Sequence, residues 1–349
     1  MNIVFQQSDF VLCNVPVPVG YKQSQTHSGV ASYDGKFFLT TSPYPSGGEI
    51  KWKSYLRAAL NKLSINLIKP FIPEQWENPL LYVGVTFDPS AFPVDFKLMQ
   101  STPLMPPPDP YYGLPAFNSD PDIHIEDGII HVLNRQTYRT KICPGEPLNK
   151  YRNRIYHIYG RIDNDRFYYL GTELLIDTDN LVCSPCLTKF KGHYLLTELE
   201  TNSYNEGDNF KGLYIATSDS IAGFKEHKEW TKVEVLSGKY LPWHMSLFSY
   251  DDRLYTIIAC VEKGVSHRLW QLLGEFDHDL KTLRVYNIPL TDFKSYRGSA
   301  FVNSDGIFVL YNTTVHEKIK GGQSVDGREI IMAHMPFEQL LTIVRENEV

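Results

Sequence analysis

Residues 120 to 135 read DPDIHIEDGIIHVLNR, two short apolar runs separated by Asp127-Gly128. A two-residue Asp-Gly step between β-branched runs is the strongest short-range signal for a hairpin. Its recurrence decides the fold. HSGVASYDGKFFLTTS from His27, SPCLTKFKGHYLLTEL from Ser184, HMSLFSYDDRLYTIIA from His244 and GSAFVNSDGIFVLYNT from Gly298 repeat the same plan. Taking Gly35, Gly128, Gly192, Arg253 and Gly306 as the turn residues, the spacings are 93, 64, 61 and 53. A repeat at this interval points to an array of one supersecondary unit.

Each interval has room for two more strands, such as RIYHIYGRI with FYYLGTELLI, or GLYIATSDS with WTKVEVL. Four strands in each of five units predicts an all-β, five-bladed β-propeller, one domain over residues 1–349. A long up-and-down sandwich is the rival, but it gives no reason for five matching hairpins. The first interval is the longest, and its surplus lies near residues 50–69, where Leu56, Leu60, Leu63 and Leu67 share one helical face. A helical insertion in the first blade is therefore expected. The Pro-rich STPLMPPPDPYYGLP from Ser101 reads as a stiff loop within the second blade.

Composition agrees. Aromatics make up 13% of the chain, with 23 Gly and 22 Pro, a usage that favours a turn-rich β protein. The net charge is −6 and the basic residues are dispersed, which argues against nucleic-acid and anionic-membrane partners. No apolar run approaches the roughly 20 residues needed to span a bilayer. MNIVFQQSDFVLCNVPVPVG lacks a basic segment followed by an apolar one, so no signal peptide is expected and a cytoplasmic location is the simpler reading. Five cysteines do not suggest a disulfide framework. The Cys183–Cys186 pair has no second ligand pair for zinc and reads as buried structural thiols. No P-loop, dinucleotide fingerprint, nucleophile elbow or HExxH is present.

In a propeller the first strand of every blade lines the axis, so the residues opening those strands converge. Counting back from the turns brings His27, Asp120, Ser184, His244 and Arg297 to one level. A pocket rimmed by His27, Asp120, Asp122, His244 and Arg297 is the expectation. Asp120 is the candidate catalytic carboxylate, while Asp122, a candidate substrate contact on the same rim, reads better as a turn or inter-blade cap. Arg135 and Arg297 suit either a carboxylate-bearing sugar or Arg–Asp pairs inside the funnel. Trp243 and His244 read as sugar contacts or as core.

The SDPD segment, the DG hairpins, LYIATSDSIAGF and the five-unit arithmetic resemble the five-bladed propeller glycoside hydrolases, the superfamily of families 43, 32, 68 and 117. PYP at 43–45, ENP at 77–79, NSDPD at 118–122 and PWH at 242–244 are similar to bacterial propeller proteins that carry those motifs. The resemblance implies a carbohydrate ligand and a glycosidase that uses two carboxylates across a glycosidic bond. It implies a base Asp opening blade one and an acid Glu before a small residue and Pro. This chain has His27-Ser28 and Cys183-Ser184-Pro185 there instead. Glu77 and Glu198 are the replacement acids, and Asn78 joins the expected substrate contacts. A non-catalytic glycan-binding, assembly or receptor-recognition propeller is the alternative. No cofactor is expected; such propellers can carry an axial calcium, but no dedicated oxygen-ligand loop is visible.

Overall fold

The computed structural model describes residues 3–18, 21–45, 79–84, 94–100, 104–105, 116–139, 151–202, 209–225, 229–264, 269–293, 295–318 and 324–347. The expected helix at 50–69, Glu77, Asn78 and most of the Pro-rich loop lie outside these residues.

Strands β2 (Tyr21–Tyr33), β3 (Lys36–Pro45), β4 (Leu80–Gly84) and β5 (Val94–Leu98) form an antiparallel meander. The plan recurs in β6 (Ala116–Glu126), β7 (Ile129–Arg139), β8 (Tyr151–Asp163) and β9 (Arg166–Thr178). A third unit comprises β10 (Val182–Phe190), β11 (His193–Thr201), β12 (Phe210–Ser218) and β13 (Thr231–Leu236). The fourth comprises β14 (Tyr240–Tyr250), β15 (Arg253–Glu262), β16 (Leu269–Phe276) and β17 (Thr282–Val285). The last runs through β18 (Ser295–Asn303), β19 (Gly306–Lys318) and β20 (Ser324–Met335), and takes its outer strand from β1 (Val11–Asn14). Outer strands also pair in parallel, β1 with β5 and β13 with β17, which joins units into eight-stranded sheets.

The first strands contact one another in cyclic order, β2 to β6, β10, β14, β18 and back to β2. The apolar core is correspondingly a ring of seams. In β3, Phe37 and Leu39 pack toward the last unit with Phe301 and Phe308, whereas Phe38 packs toward the second with Ile130 and Val132. Alternate residues thus bury both faces of each sheet, the pattern of a strand covered on two sides.

All the inner hairpins close on two-residue turns, and three use the expected Gly35, Gly128 and Gly192. Two turns sit one residue earlier than the sequence reading. Asp251-Asp252 makes the fourth, leaving Arg253 as the first residue of β15, and Ser304-Asp305 makes the fifth, leaving Gly306 to open β19. Asp251 and Asp252 hold φ of 47° and 54°, and the short polar side chain of Asp tolerates this left-handed region. With that shift, His27, Asp120, Ser184, His244 and Arg297 each stand eight residues before the second turn residue.

A C-terminal helix, α1 (Phe337–Glu346), was not anticipated. Its buried Phe337, Leu340, Leu341 and Val344 recur at helical spacing and cover Phe248 and Tyr255. No described helix is long and apolar enough to cross a membrane.

Candidate functional site

Every inner strand breaks register close to the same height, although His244 itself resumes pairing just past its bulge. The bulges fall between Thr26 and Gly29, Ser119 and Asp122, Cys183 and Cys186, Pro242 and His244, and Ser295 and Gly298. A bulge re-aims the side chain it carries. Three of these residues, His27, Asp120 and Ser184, hold φ of 51°, 52° and 44°. For non-glycine residues this costs about 1–3 kcal/mol each and is kept where the surroundings over-determine it.

The bulges converge on Asp120, which is fully buried. Its Oδ2 lies 2.9 Å from Nη2 of Arg135 and accepts the main-chain N–H of Ser184 at 3.0 Å. Its Oδ1 stands 3.1 Å from Nε2 of His27 and 3.8 Å from Nδ1 of His244. Burial alone would push this carboxyl up, but Arg135, His27, His244 and Arg297 together hold it far below the usual carboxylate range. Asp120 is therefore a standing anion.

The two imidazoles are fixed from other sides as well. Ser184 Oγ is 2.6 Å from His244 Nδ1, and the Tyr296 hydroxyl is 3.3 Å from His27 Nε2. The rings of His27 and His244 meet edge-on at 5.3 Å, and Tyr296, which is only partly buried, lies 5.1 Å from each. Trp243 backs His244 at 5.9 Å and 78°. Arg297, fully buried, donates to the carbonyls of Pro121 and Met245 at 3.1 and 3.4 Å.

Of the residues expected from sequence, His27, Asp120, Arg135, Trp243, His244 and Arg297 meet here. Asp122 turns away from the histidines. Its Oδ2 accepts the N–H of Leu187 at 3.0 Å and its Oδ1 stands 3.8 Å from Arg297. Burial, only partly offset by Arg297 and by the N–H groups of Leu187 and Ile123, raises its carboxyl to about 6. Glu198 lies elsewhere, in a cavity at the seam between the second and third units whose lining includes no member of the Asp120 cluster. Burial, with Glu200 beside it, raises the Glu198 carboxyl to about 8. Ser184 and Tyr296 were not among the expected site residues. The available signal was their position at the repeated bulge, beside His27, Asp120 and Arg297.

Chemically, the cluster offers a fixed anion, two imidazoles that can carry a proton, and two hydroxyls. The ligating atoms of His27, Asp120 and His244 lie within 4.8 Å of one another, so they also make a three-ligand set for a divalent cation. The carboxylate's second oxygen is already oriented by Arg135 and Ser184, as outer partners orient metal ligands.

No protein-family model matches the chain, and no curated protein matches it either. Among solved structures, an N-acetylgalactosamine deacetylase from F. plautii in complex with blood group B trisaccharide is similar, at 15% identity and a TM-score of 0.61, over 97% of this chain and 95% of that one. A family 117 glycoside hydrolase of the marine bacterium Zobellia galactanivorans superposes with a TM-score of 0.57 at 11% identity, covering 95% and 91% of the two chains. A GH43_1 enzyme from Xanthomonas citri gives 0.51 at 11%, covering 91% and 89%. What likeness of this extent at such low identity shows is the architecture: the chain has the β-propeller fold of the propeller glycoside hydrolases.

Proposed function

We propose that the chain is a single-domain, five-bladed β-propeller and a carbohydrate-active hydrolase, a glycosidase working at the Asp120 cluster. The observation that carries this reading is the suspension of one buried carboxylate between His27, His244, Arg135 and the Ser184 N–H. Hydrolysis of a glycosidic bond needs a proton delivered to the leaving oxygen and another taken from the attacking water. A carboxylate locked as an anion cannot shuttle protons. Asp120 instead orients the two imidazoles and stabilises positive charge on them, while His27 and His244 carry the proton. Tyr296, partly open to solvent, is the contact for the sugar ring. Glu77 remains the candidate for a second carboxylate.

A second reading is supported by one specific observation. The His27, Asp120 and His244 donor set fits a divalent cation of zinc type, and one protein of similar fold is an N-acetylgalactosamine deacetylase. Bound there, a cation would supply Lewis-acid activation of water or of an acyl carbonyl. Asp120 would then act as ligand, with Arg135 and Ser184 holding its orientation.

Screening the purified protein against aryl glycosides, oligosaccharides and N-acetylated sugars, beside Asp120→Asn, tests both. Release of sugar, reduced at least about 100-fold in the variant, supports the glycosidase. Release of acetate instead of sugar supports the second reading. Saccharide binding by both proteins with no turnover would overturn both in favour of a glycan-binding propeller.

A further inference from the structure

The seam between the second and third units holds a cavity of about 580 Å³ against β9, β11 and β12. That volume is in the range of small-molecule sites. Its ionised side chains are already paired. Glu200 is bound by Lys211 at 2.8 Å and by Asn180 at 2.5 Å. Asp177 is held by Arg152 and Arg154 at 2.5 and 3.3 Å, and Lys225 by Glu173 at 3.1 Å. The cavity therefore presents little unbalanced charge to an ionic ligand.

One polar group is left over. Glu198 is 5% exposed, and its Oε1 has no hydrogen-bond partner among the described residues. A buried polar atom left unpaired costs about 1–3 kcal/mol, so the carboxyl favours a guest that can bond to it. Because burial raises it to about 8, this carboxyl is largely protonated at neutral pH and both donates and accepts. Hydroxyl groups do the same. Trp230, half-buried, adds an aromatic wall.

We propose that this seam cavity binds one uncharged saccharide ring, with Glu198 as its buried hydrogen-bonding anchor and Trp230 as its stacking face. The site shares no lining residue with the Asp120 cluster, so it stands independently of the activity proposed there.

The test is ligand-observed NMR and titration calorimetry with xylose, arabinose and N-acetylgalactosamine as neutral probes and glucosamine as a cationic one. Wild type is compared with Glu198→Gln, Glu198→Leu and Trp230→Ala, each checked for native circular dichroism. A neutral sugar binds the wild type in the millimolar range, Glu198→Gln retains it within about threefold, and Glu198→Leu and Trp230→Ala weaken it at least about tenfold. Should Glu198→Leu fail to fold, Trp230→Ala at the cavity wall carries the test. Three results overturn the proposal. One is no neutral-sugar binding at about 20 mM. Another is binding indifferent to both Glu198→Leu and Trp230→Ala. The third is a preference for glucosamine that Glu198→Gln abolishes, which would make the site an ammonium pocket.

Discussion

The main-chain N–H of Ser184 donates to Oδ2 of Asp120 at 3.0 Å, so the residue just after Cys183, which stands where a propeller hydrolase acid was expected, clamps the neighbouring unit's carboxylate. Asp120→Asn keeps the shape but leaves Arg135 facing an amide. Breaking a buried ion pair from one side costs about 3–5 kcal/mol. The urea midpoint of the variant should fall accordingly, and a loss below about 1 kcal/mol would mean that the pair is not what holds the cluster.

Acid should weaken the seam between the second and third units. His131 Nδ1 lies 2.9 Å from His157 Nε2, and His124 stacks on His131 at 6.1 Å. Burial, helped by mutual repulsion and by Lys189 and Lys225, lowers His124 to about 4 and His157 to about 3, with Glu126 opposing at His124. His131 is lowered too, by burial against the opposing Glu126, and Glu173 stands 4.0 Å from His157. The folded protein holds these rings neutral, so the unfolded chain takes up protons first as pH drops. Their contribution is complete above 6.5 and declines toward pH 3, with His157 alone losing on the order of 3 kcal/mol by pH 4. Chemical denaturation across that window should show the slope, and His157→Gln should flatten it.

Chelation separates the two readings of the Asp120 cluster. Sugar release by the glycosidase should be unchanged after dialysis against EDTA. Activity that disappears with the chelator and returns with zinc or manganese would favour the cation-dependent reading.

Gly298 follows Arg297 in the fifth bulge, and a Cβ there would come within 2.6 Å of Gln271 Oε1 and 2.7 Å of Ile257 Cγ2. Gly298→Ala should therefore cost about 1–3 kcal/mol by overpacking. Thermal unfolding reads this directly, and an unchanged midpoint would show that the bulge can shift freely.

Cys13, Cys183, Cys186 and Cys260 are free and buried, and burial raises the thiols of Cys13 and Cys183 to about 12. Thiolates are the reactive form, so these four should resist a disulfide reagent in the native protein and react promptly in guanidinium. Rapid native labelling at Cys183 or Cys186 would contradict their burial.

The repeat was legible because Asp-Gly and Lys-Gly steps declare a two-residue turn without tertiary help. The fourth turn was misplaced by one residue because Asp251-Asp252-Arg253 carries no glycine. Convergence of His27, Asp120, His244 and Arg297 followed from counting back from the turns. What counting could not supply was direction. The bulge turns Asp122 toward Leu187, and strand alternation sends Glu198 into the seam with Leu196 rather than toward the axis. Helix α1 carries no such repeat signal, because its apolar face becomes meaningful only against Phe248 and Tyr255.

Strand β1 precedes β2 in the chain yet pairs with β20, whose partner residues for Val11 and Leu12 are Met332 and Ile331. On the ribosome the earliest strand of the ring must wait for nearly the latest. The first unit can collapse on its own meander, but the circle stays unlatched until some 320 further residues have emerged, at least about 16 s of synthesis even at the fast end of translation rates. During that interval β1 has β5 on one side only, and its other edge stays open until β20 arrives, the kind of border that recruits a second chain. Slow translation through the final hairpin would lengthen that exposure, so crowding by sister nascent chains is where this architecture is most vulnerable.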